Sequence, residues 1–203
     1  MHIEFLVEEY SAETALKNLL PSILSEETTF AIRPFSGKQD LLSQLPKRLS
    51  GYRKWLPEDW RIVVLVDRDR ENCRTLKTRL EDAARQAGLA TKSSVRGQGR
   101  FTVVNRLAIE ELESWYFGDP AALRQAYPRL PVTIGRKAPY RNPDAITGGT
   151  WEALERILKQ SGYYPSGLPK VETARNVSKY MDPNRNTSKS FQVFRDALRE
   201  LAL

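Results

Sequence analysis

The chain has one cysteine and one histidine in 203 residues. Cys73 alone excludes an internal disulfide framework and a cysteine-rich zinc site, and it makes a reduced, cytoplasmic setting the expectation. His2 is the only imidazole, so a Ser-His-Asp or Cys-His hydrolase has no general base to use. No apolar run approaches the roughly 18–20 residues that cross a bilayer. The opening Met1-His-Ile-Glu-Phe-Leu-Val-Glu-Glu9 lacks the basic segment and the long apolar stretch of a signal peptide. The glycines of Arg96-Gly-Gln-Gly-Arg100 are not followed by Gly-Lys-Ser/Thr, which removes the phosphate-cradling loop of an ATPase. There is no internal repeat and no low-complexity tract.

Hydrophobic residues make up 40% and charged residues 28%, a composition able to bury a core. Lys and Arg number 32 against 25 Asp and Glu, a net charge of +7 that favours a polyanionic partner, nucleic acid being the common one. Ile3–Val7 reads as a strand ended by Glu8 and Glu9. Ser11 is a cap for a helix over Ala12–Leu20, and Thr28–Pro34 reads as a second strand. Leu41–Trp55 is an amphipathic helix interrupted near Pro46. The continuous apolar run within Arg61–Val66 predicts a strand buried on both faces. Asn72 caps a helix over Cys73–Ala87 that Gly88 closes. Ala90–Val95 and Phe101–Asn105 are read as further strands, Ala108–Tyr116 as a helix, and Asp119-Pro120 as a helix start.

The alternation predicts an α/β fold with a mainly parallel sheet covered by helices. Beyond Pro128 the texture changes to a basic, Pro/Gly-rich loop. Helices then follow over Thr150–Gln160, Lys170–Tyr180 and Ser188–Leu201. The expectation is one domain over 1–203: an α/β core over 1–127, the loop over 128–149, and a C-terminal helical portion over 150–203.

Three acidic sets follow or adjoin the predicted strands: Glu8/Glu9, Asp67/Asp69 and Glu110/Glu111/Glu113. In an open α/β sheet the ligand crevice lies beyond the carboxyl ends of the strands. Carboxylates meeting there raise one another's pKa unless a cation neutralises them, and hard oxygen donors suit Mg²⁺ or Mn²⁺. The plainer alternative is that the acids are helix caps and solvated turns. Arg68, Arg70, Arg96 and Arg100 flank them as phosphate contacts or as surface ion-pair partners.

Four segments carry a resemblance: Phe-Leu-Val-Glu8-Glu9, Val-Leu-Val-Asp67-Arg-Asp69, Ile-Glu110-Glu111-Leu-Glu113-Ser-Trp115, and Asn186-Thr-Ser188-Lys-Ser190-Phe191. The pattern resembles the DUF4276 family, a Toprim-like group, over nearly the whole chain. The resemblance implies a Toprim-like sheet. It also implies a glutamate after the first strand as general acid/base, matched by Glu8 or Glu9, and an Asp-x-Asp metal pair, matched by Asp67 and Asp69. Glu111 and Glu113 match the family's third motif and are added as metal ligands. Glu9 stands where the usual Toprim motif has glycine, which leaves the choice between Glu8 and Glu9 open. The expected activity is a Mg²⁺-dependent nuclease acting on DNA or RNA, beside an ATPase partner in phage defence. The main alternative is a non-catalytic Toprim-like module that binds nucleic acid or a partner protein. A phosphatase built on Asp-x-Asp is weakened because its nucleophile follows the first strand. A nucleotide-sugar transferase explains neither the N-terminal glutamates nor the charge.

Overall fold

Four runs rich in branched side chains pair into one parallel sheet, β1 (His2–Val7), β2 (Thr29–Pro34), β3 (Trp60–Asp67) and β4 (Val103–Ala108). The structure is a computed structural model, and it describes residues 1–95 and 99–201. The strand order is β2-β1-β3-β4. Phe5 lies opposite Ile32 on β2 and Val63 on β3, and Val63 lies opposite Val104 on β4. β3 is an inner strand with both faces covered, which is why Ile62–Val66 is an unbroken apolar run. A helix fills each crossover: α1 (Tyr10–Leu19), α2 (Lys38–Arg53) and α3 (Cys73–Gln86). The chain steps outward from β1 to β2, then back across β1 to β3. The carboxyl ends of β1 and β3 therefore flank the topological switch point, where such sheets form their crevice.

Each face of the sheet has its own core. On one, Leu41, Leu45 and Leu49 of α2 and Leu76, Leu80 and Ala84 of α3 pack on Leu6, Ile62, Val64 and Val66. On the other, Ile3, Phe5, Val63, Leu65 and Val104 are covered by α1 and by everything after β4. That C-terminal portion comprises α4 (Glu113–Phe117), α5 (Pro120–Ala126), α6 (Thr150–Gln160), α7 (Lys170–Ser178) and α8 (Lys189–Leu201). Trp115 is its anchor. The ring is fully buried, lies 5.2 Å from Phe191 and 5.0 Å from Phe194 between centroids, and donates its indole N–H to Ser190 Oγ at 3.0 Å. Asp119 is likewise buried. It caps α5 through Ala122 N–H and receives a bidentate Arg185 at 2.8 Å on both oxygens.

Several boundaries differ from the sequence reading. Ala90–Val95 is a turn, with one bridge from Thr91 to Val103. Thr91 and Ser94 exchange side-chain-to-backbone hydrogen bonds at 3.0 and 3.1 Å, which replace a ladder. α2 runs through Pro46 without a break, held by the leucines that line its inner face. α1 begins at Tyr10 with Glu9 at its cap position; Ser11 is buried in the first turn and donates to Glu9. β4 sits later than Phe101–Asn105, at Val103–Ala108, and the following helix starts only at Glu113. The 128–149 segment is not structureless. It holds three 3₁₀ turns, pinned by buried Leu130, Ile134, Tyr140 and Ile146. Among the described residues no helix is long and apolar enough to cross a membrane.

Candidate functional site

The loops that leave β1, β2, β3 and β4 are laced together at the carboxyl edge of the sheet. Gly37 N–H, after β2, donates to Glu8 O at 2.9 Å. After β3, Arg68 N–H donates to Ala108 O at 2.9 Å and Asp69 N–H to Glu110 O at 2.7 Å. Because β1 and β3 are adjacent and parallel, the residue just after β1 meets the last residue of β3: Asp67 N–H donates to Glu8 Oε2 at 3.2 Å.

This lacing gathers acids. Glu8 is pushed up to about 7, first by burial and then by Asp69 and Glu9, against the Asp67 N–H and Lys38. Asp67 is pushed well above the usual carboxylate range by burial and then by Glu8, Glu113, Asp69 and Glu9. Glu113, buried in the first turn of α4, reaches about 7 through burial, with Lys170 opposing and Glu111 adding to the rise. None of these three carboxylates has an ion-pair partner among the described residues. The Tyr116 hydroxyl is buried close enough for Glu113, Asp67 and Glu9 to oppose its ionisation, and it has no hydrogen-bond partner among the described residues.

The outer acids are compensated. Asp69 adopts φ of +50°, the left-handed region that Asp tolerates better than most residues. Its carboxylate accepts from buried Lys38 Nζ at 3.0 Å, which also reaches Arg68 O at 3.0 Å and Glu71 at 2.8 Å. Glu9 accepts from Ser11 Oγ at 2.5 Å and from Lys170 Nζ at 3.4 Å. Arg68 pairs with Glu110 at 2.6 Å. Glu111 turns away to the start of α6, where it accepts from Thr150 Oγ1 at 2.9 Å and Trp151 N–H at 2.7 Å.

Of the residues singled out from sequence, Glu8, Glu9, Asp67, Asp69 and Glu113 share this edge, and Arg70 stands exposed beside them. Arg100 belongs to the opposite edge. It lies near Glu58, in the loop that enters β3. Arg96 falls outside the described residues. Sequence reasoning missed Lys38, Lys170 and Tyr116. Lys38 had a signal, since it follows Phe35-Ser-Gly at the same end of β2, whereas Lys170 and Tyr116 arrive only through packing of the C-terminal portion.

The donors are all oxygen, and burial and neighbouring acids push three of the carboxyls up. A hard divalent cation fits that chemistry. The side chains are not drawn into a coordination shell, for among the described residues no three acids stand close enough to grip an ion. No curated protein and no solved structure matches the chain. Residues 7–199 match the model of the domain of unknown function DUF4276, a span that takes in the carboxylates of the switch point and the Asn186–Phe191 segment behind Trp115, and the chain belongs to the DUF4276 family.

Proposed function

We propose that the protein is a Mg²⁺-dependent nuclease with a Toprim-like site. The observation that carries the reading is the meeting of Glu8, Asp67 and Glu113 at the switch point of a parallel sheet, with the proton affinity of each raised. Mg²⁺ or Mn²⁺ bound there would neutralise a phosphodiester and polarise water. Asp67 would hold it, with Asp69 and Glu113 as the flanking carboxylates that would have to close in around the ion. Glu8, with its carboxyl pushed up to about 7, exchanges its proton near neutral pH, which suits it to give a proton to a leaving oxygen or take one from water. Glu9, tied to Lys170 and Ser11, is the alternative residue for that role. Arg70 is free to meet phosphate, and Arg68 is a contact once it leaves Glu110. The net charge of +7 supports DNA or RNA as substrate. An ATPase partner and a role in phage defence rest on the family resemblance, and a cytoplasmic setting rests on the lone Cys73.

The test is cleavage of plasmid DNA and of labelled single-stranded DNA and RNA in Mg²⁺, Mn²⁺ or EDTA, by wild type and by the Asp67→Ala/Asp69→Ala variant. Melting temperatures are read in the same buffers. Metal-dependent cleavage and a metal-dependent thermal rise are expected in wild type, with both lost in the variant. Undiminished cleavage by the variant would remove the assignment.

One observation favours a second reading, a non-catalytic module for nucleic acid or a protein partner. Lys38 and Lys170 already lie among the acids and supply part of the positive charge that a metal would bring. On that reading the double variant binds nucleic acid as wild type does, and Mg²⁺ leaves the melting temperature of both unchanged.

A further inference from the structure

A second cluster of chemistry lies on the other half of α2. Gln44, Lys47, Arg48, Gly51 and Tyr52 recur at spacings of three and four, so they share one stripe of the helix. That stripe faces the β2 edge of the sheet across a cavity of about 560 Å³, with Trp55 at its lip. The volume falls in the range of about 300–1,000 Å³ that small-molecule sites occupy.

The floor of the cavity is an internally neutralised acid. Glu4 of β1 is buried and accepts from Arg33 Nε at 3.0 Å, from a second Arg33 nitrogen at 3.3 Å and from the Tyr52 hydroxyl at 3.0 Å. Burial pushes its carboxyl up, and Arg33 and Tyr52 more than reverse that, leaving it below its ordinary value. The walls carry the surplus charge. Lys47 and Arg48 are exposed and have no ion-pair or hydrogen-bond partner among the described residues; Arg48 hangs 5.9 Å from the Phe35 ring. Three cations thus face one carboxylate that is already engaged.

Trp55 is 57% exposed, an unusual position for so large a ring. It is held in place by Tyr52 at 5.3 Å and Trp60 at 5.7 Å between centroids. Gly51 sits inside the helix, where glycine is unfavourable. A Cβ there would meet nothing within 4 Å, so no packing neighbour demands the glycine; its absent side chain leaves the wall of the cavity open.

We propose that this cavity binds a nucleotide, its base stacked on Trp55 and its phosphate held by Lys47 and Arg48. An indole accepts any base face, and a guanidinium beside an ammonium suits a phosphate. The site is separate from the carboxylate edge: Lys47 lies nine residues along α2 from Lys38, about 14 Å of helix rise. The same chemistry recognises a free mononucleotide or a nucleotide within a strand.

Isothermal titration with AMP, inorganic phosphate and a 5′-phosphorylated ten-residue oligothymidylate tests it. The proteins are wild type, Gly51→Leu, Arg48→Glu, Trp55→Ala and Asp67→Ala, with melting curves to show that each is folded. AMP is expected to bind wild type and Asp67→Ala alike, at least tenfold more tightly than phosphate. Its affinity should fall at least tenfold in Arg48→Glu, in Trp55→Ala and in Gly51→Leu, which projects a side chain from the wall into the cavity. Oligonucleotide binding that AMP competes away, and that Gly51→Leu weakens, identifies a strand as the source. AMP binding without such competition identifies a free nucleotide. The proposal is overturned if wild type binds neither AMP nor the oligonucleotide, if folded Gly51→Leu binds both like wild type, or if phosphate binds as tightly as AMP. Because Asp67→Ala retains binding, loss of the nuclease reading leaves this one standing.

Discussion

Replacing Glu113 by glutamine isolates the electrostatic cost of the carboxylate cluster. The folded carboxyl titrates at about 7 against an ordinary value of 4.5. An acid raised in this way holds its proton in the native state over a range where the unfolded chain has lost it. Native stability is therefore greatest below about 4.5 and is lost as the pH climbs through 7. At 1.36 kcal/mol for each pH unit the full cost of ionising Glu113 is about 3 kcal/mol. Glutamine keeps the shape of the protonated acid and does not titrate. In EDTA, the Glu113→Gln variant should exceed wild type by about 3 kcal/mol at pH 8 and by less than about 1 kcal/mol at pH 5. For a chain of this size that is a melting-temperature gap of about 6–12 °C at pH 8. Scanning calorimetry at several pH values between 5 and 8.5 reads the gap directly. A gap that stays constant across the series, or a variant less stable than wild type at pH 8, would refute the claim that Glu113 is ionised against its surroundings.

Two other substitutions separate structural roles from chemical ones. Glu111→Gln weakens the acceptor at the start of α6 and should cost about 1 kcal/mol in urea unfolding while leaving any Mg²⁺-induced thermal rise intact; loss of that rise would make Glu111 a ligand rather than a cap. Arg185→Ala removes the bidentate partner of buried Asp119. Arg185 is half exposed, so the expected cost is about 2 kcal/mol rather than that of a fully buried pair. A measured loss under about 0.5 kcal/mol would show that Ala122 and Asp182 N–H suffice for that carboxylate.

The legible parts of the fold were those whose environment is uniform along the element. β3 is buried on both faces, so its residues form one unbroken apolar run. α5 announces itself by an Asp cap and Pro at the first position, and the structure retains both. Ala90–Val95 misled because Thr91 and Ser94 satisfy their own backbone, a contest that a pattern of apolar residues does not record. β4 starts two residues later and ends three residues later than the apolar pattern suggests, because it runs on through half-buried Arg106 at the edge of the sheet. At the site, Glu8, Asp67 and Asp69 were readable because a residue after a parallel strand must stand at the carboxyl edge. The same rule places the loop before β4 at the amino edge, which is where Arg100 is found. Lys170 and Tyr116 have no local signature, since their place among the acids is set by how α4 and α7 dock.

The two-sided covering of the sheet has a consequence for synthesis. Once residue 108 has left the ribosome, all four strands and α1–α3 exist, and the face under α2 and α3 can close at once. The opposite face has only α1 until the residues up to 201 follow, roughly 5–20 s later at ordinary rates of translation. During that interval the part of this face that α1 does not cover stays open to solvent or to a chaperone. Lys170 is made late, so until then Lys38 is the lysine that offsets the nascent acidic edge.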